Sequence, residues 1–434
     1  MFEKQNKPSS LNGLPSQEKG HPSSKKLLRW VGYTPSILSM LKRIKKLKDN
    51  DAYFYMRKLE SPSLGHVRIS GKDMIMLGSN NYLGLTSHPK VKQATIDAIN
   101  KYGTGAGGVR ILSGTYPIHE ELEESLAILK GAEAAVVFSS GYATNFGLIS
   151  TLAEIGHLIV NDEKNHASII DGCKVRRAHT FFYKHNDIEN LRSTLSNLIM
   201  GEHNRLLIAS DGVFSMDGDI VPLPKWLSVA RSANAITMLD DAHATGVLGP
   251  TGSGTAEHFG LKGAVDITVG TLSKALAGVG GFIAASKDLV SYIKHTTRAF
   301  VFASALPPSV AATCLAAIKV LQSEPEHLES LWKNRALLYD GLRDIGFDLG
   351  KSQTPIIPVI VGDEFLAYSY AKRLDDEGVF VNPVAYPAVK KQESRLRITV
   401  SAALTKQDIG KALSAFKKIA KELGAKAPQI LPTT

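Results

Sequence analysis

Lys274 lies in the stretch TVGTLSKALAGVGGF, residues 268–282, just after a short apolar run and before a glycine-rich turn. An amine that is to add to a carbonyl must spend part of its time uncharged, and the end of a buried strand in a cleft lowers its pKa by desolvation. Four further apolar runs end in polar clusters. Residues 134–138 lead into Ser139, Ser140, Gly141 and Tyr142, residues 157–160 into Asn161, Asp162 and His166, residues 206–209 into Asp211 and Ser215, and residues 236–239 into Asp240, Asp241 and His243. The run 267–269, which precedes Lys274, adds Thr271 and Ser273. An amine, carboxylates, imidazoles, hydroxyls and helix-start amides are together enough to hold a ligand, activate it and move protons.

The elements that must position these groups show as an alternation. From about residue 73, short apolar runs alternate with helical patterns, the signature of crossover units and a mostly parallel sheet. In open α/β sheets ligands sit beyond the carboxyl ends of the strands, so the five clusters are expected to converge on one site. The expected fold is α/β: a large domain with a mostly parallel sheet flanked by helices, then a smaller C-terminal α+β domain that includes the runs 356–361 and 396–400. The expected divisions are a disordered basic and polar tail at 1–26, an amphipathic helix and lead-in segment at 27–85, the large domain at 86–325 and the small domain at 326–434.

Pyridoxal phosphate asks for this combination of groups. Its aldehyde needs an amine, its ring nitrogen a carboxylate, its phosphate oriented donors, and its ring face a packing partner. Lys274 would hold it as a Schiff base, Asp240 would keep the ring nitrogen protonated, and His166 would pack on the ring. The Gly141 and Tyr142 amides at a helix start, with the Thr271 hydroxyl, would take the phosphate. A competing motif is GTGAGG at residues 103–108, which satisfies GxGxxG. It follows a helical stretch, 91–102, whereas a dinucleotide fingerprint follows a strand and opens a helix, so these glycines read as a tight backbone passage near a ligand or subunit contact. No GxxxxGK[ST] segment occurs. His119, within IHEELE, reads as a packing or capping group outside the site.

The 434 residues, 44% hydrophobic, are enough for a large core and two domains. Only Cys173 and Cys314 are present, without zinc-ligand spacing, so neither a disulfide framework nor a metal site is expected. The net charge of +10 is uneven: residues 1–50 hold 11 Lys/Arg against 3 Asp/Glu, leaving +2 for the other 384 residues. The body is nearly balanced, which argues against nucleic-acid binding. In the basic segment Ile37, Leu38, Leu41 and Ile44 fall at helical spacing among Lys42, Arg43, Lys45, Lys46 and Lys48, the pattern of an interfacial amphipathic helix. Packing of that stripe on the body is the alternative to a membrane or carrier-protein contact. No apolar run is long enough to span a bilayer and no secretory signal is evident, so the expected location is cytoplasmic, with membrane association through this helix left open.

Nine segments taken together resemble the α-oxoamine synthase family of fold-type I pyridoxal-phosphate enzymes. In chain order they are GSNNYLGL at Gly78, GTGAGGVRILSGT at Gly103, FSSGYATN at Phe138, NHASIIDG at Asn165, DGVFSMDGDIVPLP at Asp211, LDDAHATGVLG at Leu239, GTLSKALAGVGGF at Gly270, FASALPPSV at Phe302 and SRLRITVSAA at Ser394. The resemblance runs from about residue 50 to the C-terminus. It implies Lys274 as imine lysine and base, Asp240 as partner of the ring nitrogen, His243 near the ring hydroxyl, His166 stacked on the ring, and Ser215 and Thr271 around the cofactor. It further implies that Asn80 and Arg397 hold the substrate carboxylate and that Ser304 reaches the phosphate of a neighbouring subunit in a homodimer with shared sites.

The implied reaction joins an amino acid to an acyl thioester of coenzyme A or acyl carrier protein, with loss of the thiol and of carbon dioxide. Within the family, EPEHLESLWKN at Glu324, GFDLGKSQTPIIPV at Gly346 and EGVFVNPVAYPAV at Glu377 are most similar to bacterial single-chain serine palmitoyltransferases, which implies serine, a long-chain acyl group and a 3-keto long-chain base. Relatives that use glycine or alanine, of the 2-amino-3-ketobutyrate CoA ligase or 8-amino-7-oxononanoate synthase type, share the same cofactor shell. A catalytically silent partner subunit would lack Lys274, and an aminotransferase would lack HASIIDG and GTGAGGVR. One departure is SAALT, where Leu404 replaces the family's usual histidine.

Overall fold

The computed structural model describes residues 35–153, 156–175, 178–198 and 205–425. The tail expected to be disordered, 1–26, lies outside the described residues. The chain separates into two compact units, Met1–Tyr55 and Met56–Thr434. In the first, the expected amphipathic helix spans Pro35–Asp49, with Lys46 and Lys48 in its last turn, where a cation favours the helix dipole. Among the described residues no helix is long and apolar enough to cross a membrane.

The second unit opens with a hairpin, β1 (His66–Ile69) and β2 (Lys72–Met76). A seven-stranded sheet follows, from β3 (Ala134–Phe138), β4 (Leu158–Asp162), β5 (His179–Tyr183), β6 (Leu206–Asp211), β7 (Ile236–Asp240), β8 (Ile267–Thr271) and β9 (Gly281–Ala285). Its order is β3-β9-β8-β7-β6-β4-β5, with β8, β7, β6, β4 and β5 parallel and β9 antiparallel to both β8 and β3. This is the mostly parallel sheet expected from the sequence. β4, β6 and β9 are buried along their whole length, as near-continuous apolar strands covered on both faces must be. Helices Gly141–Leu152, Ala167–Val175 and Lys287–Thr296 contribute to the core on one face, with Phe138, Ile149, Ile169 and Ile293 in a single cluster. Trp226, Leu191 and Phe214 lie in another cluster with the side chains of β4 and β6.

Two strands of this sheet lay outside the sequence expectation. β9 begins inside what reads as a glycine-rich turn, and it is antiparallel because the short turn after Lys274 leaves no room for a crossover helix. β5 carries mostly exposed side chains, so it lacks the apolar run that marked the others. The C-terminal part adds β10 (Ile356–Gly362), β11 (Val379–Phe380), β12 (Asn382–Val384) and β13 (Ser394–Thr399). β10, β13 and β12 form an antiparallel sheet, whereas β11 pairs in parallel with β2, so residues from near both ends of this unit share one sheet.

The loop after β5 is tied down by His185, whose Nδ1 lies 3.0 Å from Asp162 Oδ1 and whose Nε2 lies 2.8 Å from Asp219 Oδ2. Burial alone would lower its pKa, but hydrogen bonds to the two carboxylates outweigh that and push it up to about 9 from the usual 6.5. Because the folded-state value is raised, this stabilisation is fully present below about pH 6.5 and is lost as pH rises through about 9. The melting temperature of the wild type should therefore fall more steeply than that of His185→Gln between those pH values; parallel curves would show that the clamp contributes nothing.

Candidate active site

The carboxyl ends of the parallel strands and the turns that follow them enclose a cavity of about 310 Å³ lined by Gly141, Tyr142, His166, Asp240, His243, Thr271 and Lys274, with Asn145, Ser168 and Asp211. The expected convergence is thus seen for one or more groups from each of the five clusters. A larger cavity, of about 620 Å³, lies at the amino ends of β4, β6, β7 and β8, and the buried Lys130 in its wall is already paired with Asp241 at 2.7 Å.

Each group owes its place to a strand end. Asp211 closes β6 and Asp240 closes β7, and the two are directly paired in the sheet register. Asp240 accepts a hydrogen bond from Asn145 Nδ2 at 2.6 Å and from the Ala242 amide at 3.0 Å. The next carboxylate, Asp241, serves a different purpose, accepting from Lys130 and from the Thr255 amide at 3.2 Å, which fixes the turn after β7. Asn145 Nδ2 also donates to Ser168 Oγ at 3.0 Å, and Ser168 Oγ lies 2.7 Å from His166 Nδ1. With the Ser168 amide also directed at Nδ1, 3.3 Å away, that nitrogen acts as an acceptor and a neutral His166 carries its proton on Nε2.

Burial pulls the Lys274 amine down to about 8, opposed by the attraction of Asp240 and assisted by the Arg397 charge. Burial, then repulsion from Asp240, raises the Asp211 carboxyl well above its usual value. Burial also holds His243 far below its usual value, with Lys274 and Arg397 adding repulsion, so its ring is neutral. His243 Nδ1 lies 2.7 Å from the hydroxyl of Tyr82, whose own pKa burial pushes up to about 12. A phenol that stays protonated can donate to a neutral imidazole nitrogen.

The remaining expected residues divide. Arg397, on β13, donates through Nε to the Ser215 carbonyl at 2.6 Å and through Nη1 to Thr399 Oγ1 at 3.0 Å and Asn80 Oδ1 at 3.4 Å, so the structure brings Asn80 and Arg397 together. Ser215 is not in the wall of the 310 Å³ cavity; it braces Arg397 through its main chain and borders a neighbouring cavity of about 290 Å³. Ser304 is exposed and bridges Val109 of the glycine-rich loop, and its expected role lies across a subunit boundary. That loop follows helix Pro89–Tyr102, with Gly103 and Gly107 at positive φ, and a Cβ on Gly114 would lie 2.4 Å from the Gly108 carbonyl, so it is the tight passage expected rather than a dinucleotide turn. His119 caps helix Pro117–Lys130, accepting from the Tyr116 amide at 3.1 Å, and is fully buried outside the cleft. Leu404 is buried, and its loop is stitched to the substrate side by Ser401 Oγ, which donates to the Asn81 carbonyl at 2.8 Å.

Asn145, Ser168 and Tyr82 were not among the residues singled out from sequence for the site, and Asp211 was placed there without a role. Asn145 sits one helical turn beyond Gly141, a spacing that places both on one face. Tyr82 carried no local signal, because its partner is distant in the chain.

These residues fit pyridoxal phosphate. Ser140 caps helix Gly141–Leu152 by accepting from the Ala143 amide at 3.1 Å, which leaves the Gly141 and Tyr142 amides without intrahelical acceptors, ready for an anion. A side chain at residue 141 would fill that cradle, since its Cβ would lie 3.1 Å from Thr271 Oγ1. An anion-ready helix start, a braced carboxylate and a near-neutral amine, borne on a sheet of this order, define a fold-type I pyridoxal-phosphate transferase, and pyridoxal phosphate is its cofactor.

Comparison with known proteins narrows the class. The aminotransferase class I and II family profile matches residues 72–416. The chain is 46% identical over 381 residues to an 8-amino-7-oxononanoate synthase of Thermoanaerobacter pseudethanolicus, covering 88% of this chain and 96% of the relative. It is 44% identical over 382 residues to a serine palmitoyltransferase of Bacteriovorax stolpii, covering 88% of this chain and 91% of that one. A solved serine palmitoyltransferase of S. paucimobilis, with a bound PLP–myriocin aldimine, superposes with a TM-score of 0.86 at 35% identity, covering 89% of this chain and 98% of the other. The chain belongs to the class I and II aminotransferase family and, within it, to the α-oxoamine synthases, which are acyltransferase-type enzymes.

With the Lys274 pKa near 8, capture of pyridoxal phosphate by the cofactor-free protein should accelerate as pH rises through about 8, because the neutral amine is the nucleophile. Stopped-flow absorbance should show this rise, and borohydride should fix the cofactor covalently in the wild type but not in Lys274→Ala. A rate independent of pH, or fixation in the variant, would remove Lys274 from this role.

Proposed function

We propose that the protein joins serine to a long-chain acyl thioester, releasing thiol and carbon dioxide and leaving a 3-keto long-chain base. The observation that carries the reading is the position of Arg397: braced by Ser215 and Asn80, it lies close enough for its charge to depress the pKa of both Lys274 and His243. A guanidinium beside the reactive amine suits an amino-acid carboxylate, which it grips in two-point contact.

Bound pyridoxal phosphate supplies a carbon to which amines add and a ring that withdraws electrons from the substrate. Asp240 keeps a proton on the ring nitrogen, and its own place is set by Asn145. Lys274, uncharged for an appreciable fraction of the time near neutral pH, removes the proton from the substrate Cα. Cα then bonds to the thioester carbonyl carbon, the carbon–sulfur bond breaks, and the thiolate leaves and takes up a proton. When the bond from Cα to the carboxylate breaks, carbon dioxide departs and a proton returns to Cα. His243 stays neutral and hydrogen-bonded to Tyr82, so it can donate at the ring hydroxyl without adding a second cation beside Lys274.

Serine is supported by the resemblance of the C-terminal segments to serine palmitoyltransferases and by the structural likeness to one of them. A second reading, glycine or alanine as substrate, is supported by the 46% identity to an 8-amino-7-oxononanoate synthase. One or two pocket residues suffice for such a difference. With palmitoyl-CoA, thiol release is expected to be at least about tenfold faster with serine than with glycine or alanine, equivalent to about 1.4 kcal/mol, and absent from Lys274→Ala. Faster release with alanine or glycine would overturn serine, and amine exchange with a keto acid but no thiol release would overturn the condensation.

Two partner readings accompany this one. A homodimer with shared sites is supported by the exposed Leu112 and Phe302 beside the Val109–Ser304 bridge, an apolar surface that a second copy would cover. Contact with an anionic membrane is supported by Leu38, Met40 and Leu41, all exposed on the lysine-rich helix Pro35–Asp49. The full chain should sediment with phosphatidylserine-containing vesicles and lose most of that binding when Lys42, Lys45 and Lys48 are replaced by Gln; equal sedimentation of the two would end the membrane reading.

A further inference from the structure

Outside the cleft, three metal-ligating side chains from different elements meet. His88 is the N-cap residue of helix Pro89–Tyr102, Glu324 follows the end of helix Pro308–Ser323, and His327 lies in the first turn of helix Glu326–Ile345. His88 Nε2 is 3.2 Å and His327 Nε2 is 3.5 Å from the same oxygen, Glu324 Oε2, and the three ligand atoms lie within 4.8 Å of one another. We propose that His88, Glu324 and His327 form a zinc-type divalent metal site that pins the start of helix Pro89–Tyr102 to the junction of the two later helices.

The distances favour an ion over a simple pair of hydrogen bonds. Ligand atoms bound tetrahedrally at about 2.0–2.1 Å from zinc lie about 3.3–3.4 Å apart, a range that the nitrogen–oxygen separations of 3.2 and 3.5 Å straddle, whereas a charge-assisted hydrogen bond would close to about 2.7–2.9 Å. The ligand chemistry, two imidazoles and one carboxylate, suits zinc and its neighbours rather than calcium or magnesium. The side chains are 14%, 19% and 25% exposed, in the order His88, Glu324, His327, so solvent can deliver an ion and supply a fourth ligand. Among the described residues His88 Nδ1 is buried without a hydrogen-bond partner, and the other ring nitrogen, Nε2, faces the cluster. Lys90 Nζ donates to the other carboxylate oxygen, Oε1, at 2.7 Å, which leaves Oε2 facing the two imidazoles. The price of that arrangement is a neighbouring ammonium, which weakens cation binding.

The test uses the full chain loaded with pyridoxal phosphate, titrated with zinc in competition with a chromophoric chelator. The wild type should bind one more zinc ion per chain than the double variant His88→Ala/His327→Ala. Since loss of even an outer-sphere partner costs about tenfold to a hundredfold in affinity, His327→Ala alone should weaken this ion by at least about tenfold. Lys90→Ala should tighten it, an effect that does not depend on the histidine variants folding normally. Cobalt in place of zinc should give the strong visible bands of a four-coordinate ion in the wild type and lose them in His327→Ala. Equal zinc stoichiometry in wild type and double variant, or an affinity indifferent to Lys90, would overturn the site.

Discussion

Two carboxylates buried side by side at the ends of adjacent strands set the terms for the rest of the site. Asp211 and Asp240 are paired across β6 and β7, and two acids placed so close in a buried setting call for a nearby cation. Lys274 is that cation when protonated, yet burial keeps its proton loosely held. Asp211 is biased towards the neutral form, whereas Asp240 accepts hydrogen bonds from Asn145 and the Ala242 amide. A protein that must hold a ring proton at one place and shed an amine proton at another needs such an imbalance, and the parallel sheet produces it by placing one acid at the end of each strand.

Around this centre the polar groups are connected rather than scattered. The hydrogen-bond sequence His166, Ser168, Asn145, Asp240 fixes the imidazole and the carboxylate relative to each other, and Tyr82 does the same for His243. Every member but one takes its place from a strand end or the first turns of the helix after it; the exception, Tyr82, comes from the segment after β2. Rigid secondary structure thus fixes groups whose useful geometry tolerates little drift.

The sequence showed the large sheet well because buried parallel strands are short apolar runs that end where the chemistry begins. All five of these runs became strands, each ending at or just inside its polar cluster. β9 was hidden because its first residue is a glycine that looks like the end of a turn, and β5 because an exposed edge strand has no apolar run to reveal it. Lys274, Asp240 and Arg397 could be read from motifs, whereas the bracing of Arg397 by the Ser215 main chain could not, since a carbonyl carries no mark in the sequence. The same holds for Tyr82 and His243, brought together by tertiary packing alone.

The parallel pairing of β2 with β11 joins positions separated by roughly 300 residues, a long loop to close. Its completion must wait for nearly the whole chain, while the seven-stranded sheet, which is assembled from contiguous sequence, can form before it. The expected carboxylate grip needs Arg397, made late, as well as Asn80, made early, so an unfinished polypeptide cannot assemble it. During synthesis the amine is thus in place before the clamp that would present it with a substrate, and a truncated product would have the first without the second.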